Sequence, residues 1–284
     1  MHPSISKAEY ANAIIYKSTF VGREMLRSIL STKPRMNILF SVMPAWEKYI
    51  RRGFKGSGHR LEFNTFTEET IKGRDLVVGL NIADLTFLSE RQQLIKNNPI
   101  PIPSLEALRI CNNKALFYQI MEEKGFGEYI PRVSNDLPYP YILKKSISLF
   151  GEDCFVISDK ETEDKYRDLI GAPGFICQEI IEGTSEFANH IIFKNGKIFS
   201  ALGIKYFHDT THAVNGKMPP IYRRLCRCTY LDIFAEILKA VEFEGLCCID
   251  YKVKDGHPYV FEINPRFGGS LSSYFFSFAR RLDR

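Results

Sequence analysis

The chain has 284 residues, of which 45% are hydrophobic and 25% are charged, and this balance allows a large core and about two folded domains. Its 38 Lys and Arg residues exceed its 33 Asp and Glu residues by five, and no basic run is present, so we expect no nucleic-acid partner. Seven cysteines without zinc-site spacing are typical of reduced thiols in a cytoplasmic protein.

The first 35 residues contain neither the apolar core of a signal peptide nor an apolar span of about 20 residues. We therefore expect no export and no membrane insertion. Scattered apolar residues predict a helical arm over residues 1–35. Such an arm is suited to docking or to forming a homo-oligomer, and the sequence leaves this role open.

Strands and helices alternate from residue 36 to about residue 100. Short apolar strands are predicted at residues 37–42, 60–66 and 75–80, with helices at 45–54 and 85–96. This alternation indicates a small parallel α/β domain. The turn after the first strand, residues 41–44, lacks the glycines of the G-x-G-x-x-G fingerprint, which disfavours a dehydrogenase-like dinucleotide site.

A proline-rich stretch, residues 98–103, then interrupts the regular structure, and Ser104 is placed to cap the next helix. We predict a domain boundary near residue 100. The remaining chain, residues 101–284, reads as an α+β body. Its predicted strands are 139–145, 175–181, 187–193, 197–203, 246–253 and 259–264, and its predicted helices are 105–111, 114–124 and 231–243.

Two strand-like runs at residues 246–264 predict an acidic hairpin, and the length of its turn decides which residues share a face. A two-residue turn would place Asp250 opposite Phe261, among apolar side chains. A three-residue turn with Gly256 in the left-handed conformation places Asp250 diagonal to Glu262 instead, and puts Phe261 on the core side with Tyr259. We predict the three-residue turn.

Diagonal residues of an antiparallel pair lie about 7–8 Å apart at their Cα atoms, so Asp250 and Glu262 are within reach of one shared cation. Together with Asn264 they offer oxygen ligands, which suit Mg²⁺, with Mn²⁺ as an alternative. The competing interpretation is a solvated strand with ordinary charges.

The residues that follow favour the metal site. Residues 261–270, FEINPRFGGS, resemble the E-[IM]-N-x-R signature of the ATP-grasp superfamily, in wording close to the large chain of carbamoyl-phosphate synthetase and to related carboxylate–amine ligases. The resemblance implies that Glu262 bridges two Mg²⁺ ions and that Asn264 and Asp250 supply further ligands. It implies that Arg266 contacts the phosphates.

Three weaker motifs precede this signature in the order of the family. YPYILK at residues 139–144 is similar to the family's [FY]-P-x-[IV]-[IV]-K strand and makes Lys144 the predicted phosphate lysine, while Lys114 resembles the first ATP lysine. The loop at residues 145–152 departs from the pattern because it has a single glycine. A segment at residues 175–183 resembles the hinge between the lobes, and the nucleotide-binding residues implied there are Gln178, Glu179, Ile180 and Ile181, with Glu186 accepting from the ribose hydroxyls.

The acceptor side is predicted in residues 205–224, a long connection without strong periodicity. A guanidinium group suits a carboxylate or acyl phosphate better than an ammonium group does. Arg223 or Arg224 is therefore expected to orient the acid. His208 is the predicted acceptor of the amine's proton. The competing interpretation of this segment is a solvated surface loop.

Taken over residues 100–270, the resemblance implies a small parallel α/β leading domain followed by a two-lobed ATP-grasp body, with lobes at about 101–175 and 176–284. The implied enzyme uses ATP and Mg²⁺ to convert a small-molecule carboxylate into an acyl phosphate, which an amine then attacks. Two alternatives stay open. One is a synthetase that forms carbamoyl or carboxy phosphate, and the other is a catalytically weak, nucleotide-binding regulatory subunit.

Overall fold

The computed structural model describes residues 5–29, 35–148, 153–214 and 218–282, which form three β-sheets with helices around them. The strands are β1 Asn37–Phe40, β2 Arg60–Phe63, β3 Leu76–Val78, β4 Tyr141–Lys145, β5 Cys154–Ile157, β6 Phe175–Glu179, β7 Ser185–Lys194, β8 Lys197–Phe207, β9 Tyr222–Cys226, β10 Gly245–Lys254 and β11 His257–Asn264. The helices are α1 Lys7–Ile29, α2 Pro44–Gly53, α3 Glu68–Ile71, α4 Ile82–Ser89, α5 Leu105–Asn112, α6 Lys114–Glu123, α7 Lys160–Lys165, α8 Leu231–Ala240 and α9 Phe276–Leu282. None of the helices in these four stretches is long and apolar enough to cross a bilayer.

The first sheet has the order β2-β1-β3, and β1 pairs with both neighbours in parallel. Ile38, Leu39 and Phe40 on β1 are fully buried because both faces of this sheet are covered, as is usual for parallel sheets. Successive side chains point to opposite faces, so Ile38 and Phe40 pack towards the second sheet while Leu39 packs against Phe66 and Leu88. The predicted class, α/β followed by α+β, is confirmed.

The second sheet is antiparallel, with the order β11-β10-β7-β8-β9. Helix α8 covers one face with Phe234, Ile237 and Leu238. The other face shares a core with the first sheet, in which the rings of Phe40 and Phe275 are 5.6 Å apart. Burial of one such side chain stabilises the fold by about 1.5–3 kcal/mol. This shared core holds the first sheet against the second sheet.

The third sheet is small and antiparallel, with the order β5-β4-β6. Tyr141 and Leu143 on β4 face a separate apolar core with Cys177 of β6. The alternation along β4 therefore turns Ile142 and Lys144 to the opposite face, towards the second sheet. The space between the second and third sheets is the cleft described below.

Helix α1 packs against the outer side of β9, where ion pairs and the ring contact of Tyr10 with Tyr222 join the two. Its Glu9 lies 2.6 Å from Arg224 and 3.4 Å from Lys205, and both contacts are partly buried. Ile14 and Ile15 on its outer side are more than 60% exposed. Residues 1–4 and 30–34 of the predicted arm lie outside the described residues.

The predicted three-residue turn of the acidic hairpin is wrong. Lys254 pairs with His257, which leaves a two-residue turn, Asp255-Gly256, with φ angles of 52° and 79°. A β-bulge at Phe261 then shifts the register, so Asp250 pairs directly with Glu262. The turn is one residue shorter than predicted, and the bulge adds one residue to β11. The two changes cancel, so Asp250 and Glu262 still lie on the same face of the hairpin.

The same bulge corrects the predicted faces of β11. Tyr259 and Phe261 were expected on the core side together with Ile263, but it is Val260 that joins Ile263 in the core beneath α8. Val260 and Ile263 are three positions apart, so on a regular strand they would point to opposite faces. The extra residue of the bulge turns both side chains to the same face.

The long connection predicted at residues 205–224 is wrong at both ends. Strand β8 continues to Phe207, and β9 begins at Tyr222 and pairs with it. Arg223 and Arg224 therefore lie on a strand and point to opposite faces. The strand β5 was also not predicted, since its segment has no long periodic pattern.

Gly245 begins β10 at a point where the sheet touches the proline-rich stretch. Its φ is +129°, and an added Cβ would lie 2.8 Å from the carbonyl oxygen of Pro101. Gly256 also has a positive φ, +79°, but nothing lies within 4 Å of its added Cβ. We expect Gly245→Ala to lower the free energy of unfolding by about 1–3 kcal/mol more than Gly256→Ala, because overpacking adds to backbone strain. Urea denaturation measures both, and equal losses would contradict the close contact.

Candidate active site

A cavity of about 260 Å³ lies between the second and third sheets. Most of the residues predicted to bind nucleotide or metal line it, namely Lys114, Lys144, Gln178, Ile180, Ile181, Glu186, Asp250, Glu262, Asn264 and Arg266. Four other predicted residues do not line it, namely Glu179, His208, Arg223 and Arg224. Sequence motifs separated by more than 150 residues thus meet in one cleft.

The acidic centre of the cleft consists of Asp250 on β10 and Glu262 on β11. They are direct cross-strand partners. The side-chain amide of Asn264 donates to Asp250 Oδ2 and to Glu262 Oε1, at 3.0 Å in each case. Its nitrogen therefore lies between the two carboxylates, in the position where a cation would balance their charges.

Burial and the negative charges of Glu262 and Glu186 raise the pKa of Asp250 well above its usual range. Burial also raises the pKa of Glu262, but the Lys114 ammonium, 2.8 Å from Oε2, more than offsets this and keeps the pKa low. Lys114 thus neutralises one of the two carboxylates. The charge of Asp250 is left without an equivalent cation among the described residues.

These donors fit a magnesium site. Mg²⁺ binds to one or two carboxylates and takes its remaining ligands from water and substrate phosphates. The described stretches contain no group of three or more His, Cys, Asp or Glu side chains that could hold a metal ion by themselves. The two carboxylates are open to the cleft and match an ion that is shared with a nucleotide, whereas the amide oxygen of Asn264 accepts from Arg266 at 3.4 Å.

Lys144 faces this centre from β4. Its Nζ donates to the Tyr118 hydroxyl at 3.1 Å, and the side chain is almost fully buried. Burial, together with the positive charge of Lys114, lowers the pKa of Lys144 to about 8, and the negative charge of Glu262 opposes this shift. Two ammonium groups held together in a buried place favour a polyanionic ligand.

Tyr118 was not singled out in the sequence, yet it joins three parts of the cleft. Besides accepting from Lys144, its hydroxyl lies 2.8 Å from Gln178 Oε1 and 2.6 Å from the carbonyl oxygen of Phe261. It therefore connects α6, the hinge strand β6 and the bulge of β11. In the sequence it is one aromatic residue on an amphipathic helix, which carries no functional signal.

Lys252 is a second residue that the sequence did not single out. It is 2% exposed, and its Nζ donates to the carbonyl oxygens of Ile181, Thr211 and Ala213 at 3.2–3.5 Å. Burial lowers its pKa, and the nearby charge of Glu186 opposes the shift. Lys252 thus ties the hinge to the loop after β8. The sequence did carry one signal for this residue, because Lys252 lies between two apolar residues of a predicted strand.

Comparison with known proteins places this geometry in a family. The profile of the ATP-grasp domain matches residues 111–270, which is more than half of the chain. The chain belongs to the ATP-grasp family. The matched region contains Lys114, Lys144, Asp250 and Glu262, so the residues of the cleft are also the residues of the family domain.

Individual relatives are distant. An uncharacterized protein of Methanocaldococcus jannaschii is 26% identical over 220 residues, which cover 76% of this chain and 50% of that protein, so the chain spans about half the length of this relative. Phosphoribosylamine–glycine ligase from Thermotoga maritima superposes with a TM-score of 0.64 at 16% identity, covering 86% of this chain and 72% of that one. D-alanine–D-alanine ligase from Bacillus anthracis gives 0.56 at 15% identity, covering 86% and 91%. Both structures share the fold.

In this ATP-grasp protein, strand register separates the two candidate arginines. Arg223 pairs with Tyr206, which lines the cleft, so its side chain lies on the cleft face and is exposed at the rim. Arg224 pairs with Lys205 on the opposite face, where its guanidinium group contacts Glu9 at 2.6 Å. The structure thus leaves Arg223 on the cleft face and places Arg224 behind the sheet.

His208 does not reach the cleft. It is 3% exposed, its Nε2 has no hydrogen-bond partner among the described residues, and burial together with the charge of Lys252 lowers its pKa. His212, four residues later, lines the cleft instead. Glu179 also turns away, because its carboxylate accepts from the backbone N–H of Arg132. Residues 149–152 of the single-glycine loop and residues 215–217 lie outside the described stretches.

The buried ammonium of Lys144 should reduce stability at neutral pH. Its pKa is about 8 in the folded protein and 10.5 as a free side chain, so the unfolded chain binds more protons between these values and stability rises with pH there. The shift corresponds to about 3 kcal/mol at most. We expect Lys144→Met to raise the free energy of unfolding at pH 7 by up to this amount, with the gain vanishing as pH rises through 8 to 10.5.

Urea denaturation of both proteins across this pH range checks the prediction. Lys145→Met is the matched control, because Lys145 is the next residue on β4 and is about half exposed. Its effect should stay within about 0.5 kcal/mol at every pH. A Lys144→Met variant that is no more stable than the control at pH 7 would contradict the burial of a charged ammonium.

Proposed function

We propose that this protein is an ATP- and magnesium-dependent ligase that phosphorylates a carboxylate and joins the resulting acyl group to an amine, forming an amide or peptide-like bond. The observation that carries the proposal is a single cleft containing three buried lysines, three carboxylates with an amide, and a buried arginine. Such a set matches the charges of a nucleoside triphosphate with its metal. The names of the structural neighbours, two of them C–N-forming ligases, support the reaction class.

In the first step, a carboxylate oxygen of the substrate attacks the γ-phosphorus of ATP. The bond between this phosphorus and the β–γ bridging oxygen breaks, and ADP leaves. Asp250, Glu262 and Asn264 would hold Mg²⁺, which neutralises phosphate charge when bound. Lys144 and Lys114 donate to the phosphate oxygens, and Arg266 stabilises the charge that moves to the acid. No protein nucleophile takes part, so positioning and electrostatics carry the catalysis.

In the second step, the amine nitrogen attacks the carbonyl carbon of the acyl phosphate. The C–N bond forms, and the bond between the carbonyl carbon and the oxygen that bridges to phosphorus breaks. Inorganic phosphate leaves with that oxygen, and the amine gives up a proton. The predicted His208 does not line the cleft, and His212 lies beside the hinge, 3.7 Å from Glu182, so the amine's proton is proposed to pass to water. Arg223 at the rim is proposed to orient the acid through a charge-assisted hydrogen bond.

The nucleotide would lie along the remainder of the cleft. The backbone from Gln178 to Ile181 is proposed to contact the adenine, and Glu186 the ribose hydroxyls. The proposal also divides the chain into an arm at residues 1–35, a leading domain at 36–100 and an ATP-grasp body at 101–284 with lobes at about 101–175 and 176–284. The proposed localisation is cytoplasmic.

ADP release tests the proposed function directly. The full chain is incubated with ATP and Mg²⁺ and a panel of acids and amines, with bicarbonate as a separate arm. ADP formation that needs both an acid and an amine supports the ligase. ADP formation with bicarbonate alone would favour a carboxy-phosphate synthetase, and no ADP with any acid, despite tight ADP binding, would favour a nucleotide-binding subunit.

We expect Glu262→Gln to lower turnover by about 10³-fold or more. The substitution removes the negative charge that is proposed to hold the metal, and the metal in turn neutralises the transferring phosphate. Folding should be retained, since the amide occupies the same volume. Glu236→Gln, on the exposed side of α8, is the control and should keep the parent's rate. Parent-like ADP formation by Glu262→Gln would remove this residue from the metal site.

The two arginines give a matched pair of variants. Arg223→Ala should raise the KM for the acid about tenfold, the equivalent of one charge-assisted hydrogen bond, and leave the KM for ATP unchanged. Arg224→Ala should keep both constants but lower the free energy of unfolding by about 1 kcal/mol, because α1 loses its ion pair. Steady-state kinetics and urea denaturation separate the two effects. A raised acid KM in Arg224→Ala only would reverse the assignment.

A further inference from the structure

His190 lies on β7 directly beneath the turn at residues 268–270, at the end of the cleft away from the hinge. It is fully buried. Its Nε2 is 2.8 Å from the hydroxyl oxygen of Ser270, whereas its Nδ1 has no hydrogen-bond partner among the described residues. The ring also fills the space under Gly268, where an added Cβ would lie 2.5 Å from Cε1. No step of the proposed reaction uses this imidazole.

The surroundings of His190 determine its tautomer. Burial lowers the pKa of the ring to about 3, so at neutral pH the imidazole is uncharged and carries one N–H. A buried N–H without a partner costs about 1–3 kcal/mol, and an unused acceptor nitrogen is better tolerated. The proton therefore resides on Nε2, and Nε2–H donates to Ser270.

This direction of donation decides what Ser270 can do. A serine oxygen that accepts from Nε2–H keeps its own proton for a second acceptor. Ser270 lines the cleft next to Tyr206, whose hydroxyl also interacts with it. If Ser270 donates to Tyr206, the phenolic O–H becomes the free donor, and if it does not, its own O–H is free. In both cases the chain of hydrogen bonds ends on a hydroxyl donor in the cleft.

We infer that His190 is a positioning residue, which orients Ser270 so that this end of the cleft presents a hydroxyl donor to the anionic group of the acid and to the phosphate that leaves it. The inference rests on the proposed function, because it concerns the acid end of the same cleft. His190 does not touch the substrate itself. Its action passes through Ser270.

The turn is held from both sides, which makes the donor preorganised. An added Cβ at Gly269 would lie 3.0 Å from the indole nitrogen of Trp46, while Gly268 rests on His190. Arg266, which is 9% exposed, lines the same part of the cleft. A fixed donor beside a buried guanidinium group stabilises developing negative charge without reorganising. Chains of hydrogen bonds also strengthen their terminal donor.

The first test is the tautomer. Nitrogen-15 NMR of the full chain, labelled at histidine, distinguishes a protonated from an unprotonated ring nitrogen, and His190→Gln assigns the signals. We expect Nε2 to be protonated and Nδ1 unprotonated, without change between about pH 6 and about pH 8, the range in which an exposed histidine titrates. A proton on Nδ1, or a titration within this range, overturns the inference.

The second test measures binding of inorganic phosphate, a product of the proposed reaction, to the protein saturated with ADP and Mg²⁺. His190→Gln and His190→Asn form the matched pair, since the longer amide reaches the place of Nε2 and the shorter one does not. Calorimetry should show about tenfold weaker phosphate binding for His190→Asn and for Ser270→Ala, the equivalent of one hydrogen bond to a charged group. His190→Gln should retain most of the affinity.

A double variant, His190→Asn with Ser270→Ala, should bind phosphate no more weakly than Ser270→Ala alone, because His190 acts only through this serine. The affinity for ADP should stay unchanged in every variant. Additive losses, or full phosphate affinity in His190→Asn, would overturn the positioning role. If the parent protein binds no ADP in the presence of Mg²⁺, the proposed function is wrong. The NMR test of the His190 tautomer does not depend on that result.

Discussion

The direct pairing of Asp250 with Glu262 is the constraint on which the rest of the cleft depends. Two carboxylates on adjacent strands repel each other, and their burial raises the cost of both charges. Lys114 offsets one of them, and Asn264 places an amide between the two. In the proposed function, a divalent cation with its nucleotide would complete this balance.

The surroundings of this acidic pair are arranged to hold charged groups in place at some cost to stability. Lys144 stays buried with a lowered pKa, and Lys252 uses its charge to join the hinge to the loop after β8. Tyr118 connects three elements through one hydroxyl. In the proposed reaction, preorganised charges of this kind would contribute most during phosphoryl transfer, because no rearrangement is needed then. The same groups weaken the folded state when no ligand is bound.

Much of the fold and of the candidate site was predictable, because local patterns carried the information. Alternating apolar strands and helices indicated the parallel sheet, and four motifs in order indicated the family; their residues Lys114, Lys144, Glu262 and Asn264 line one cleft. The residues that were missed, such as Tyr118 and His190, carry no local signal. Their partners lie far away in the chain, at separations of 60 and 80 residues.

The sequence by itself determined the family, the fold class and the acidic hairpin, since periodicity and motif order are properties of neighbouring residues. Only the tertiary structure decided which side chains of each strand face the cleft. The bulge at Phe261 set the pairing of Asp250 with Glu262, and the register of β9 turned Arg223 towards the cleft while Arg224 bound Glu9. Side chains on a strand alternate with a period of two, so a shift of one residue exchanges the faces, and this shift depends on pairing with distant strands.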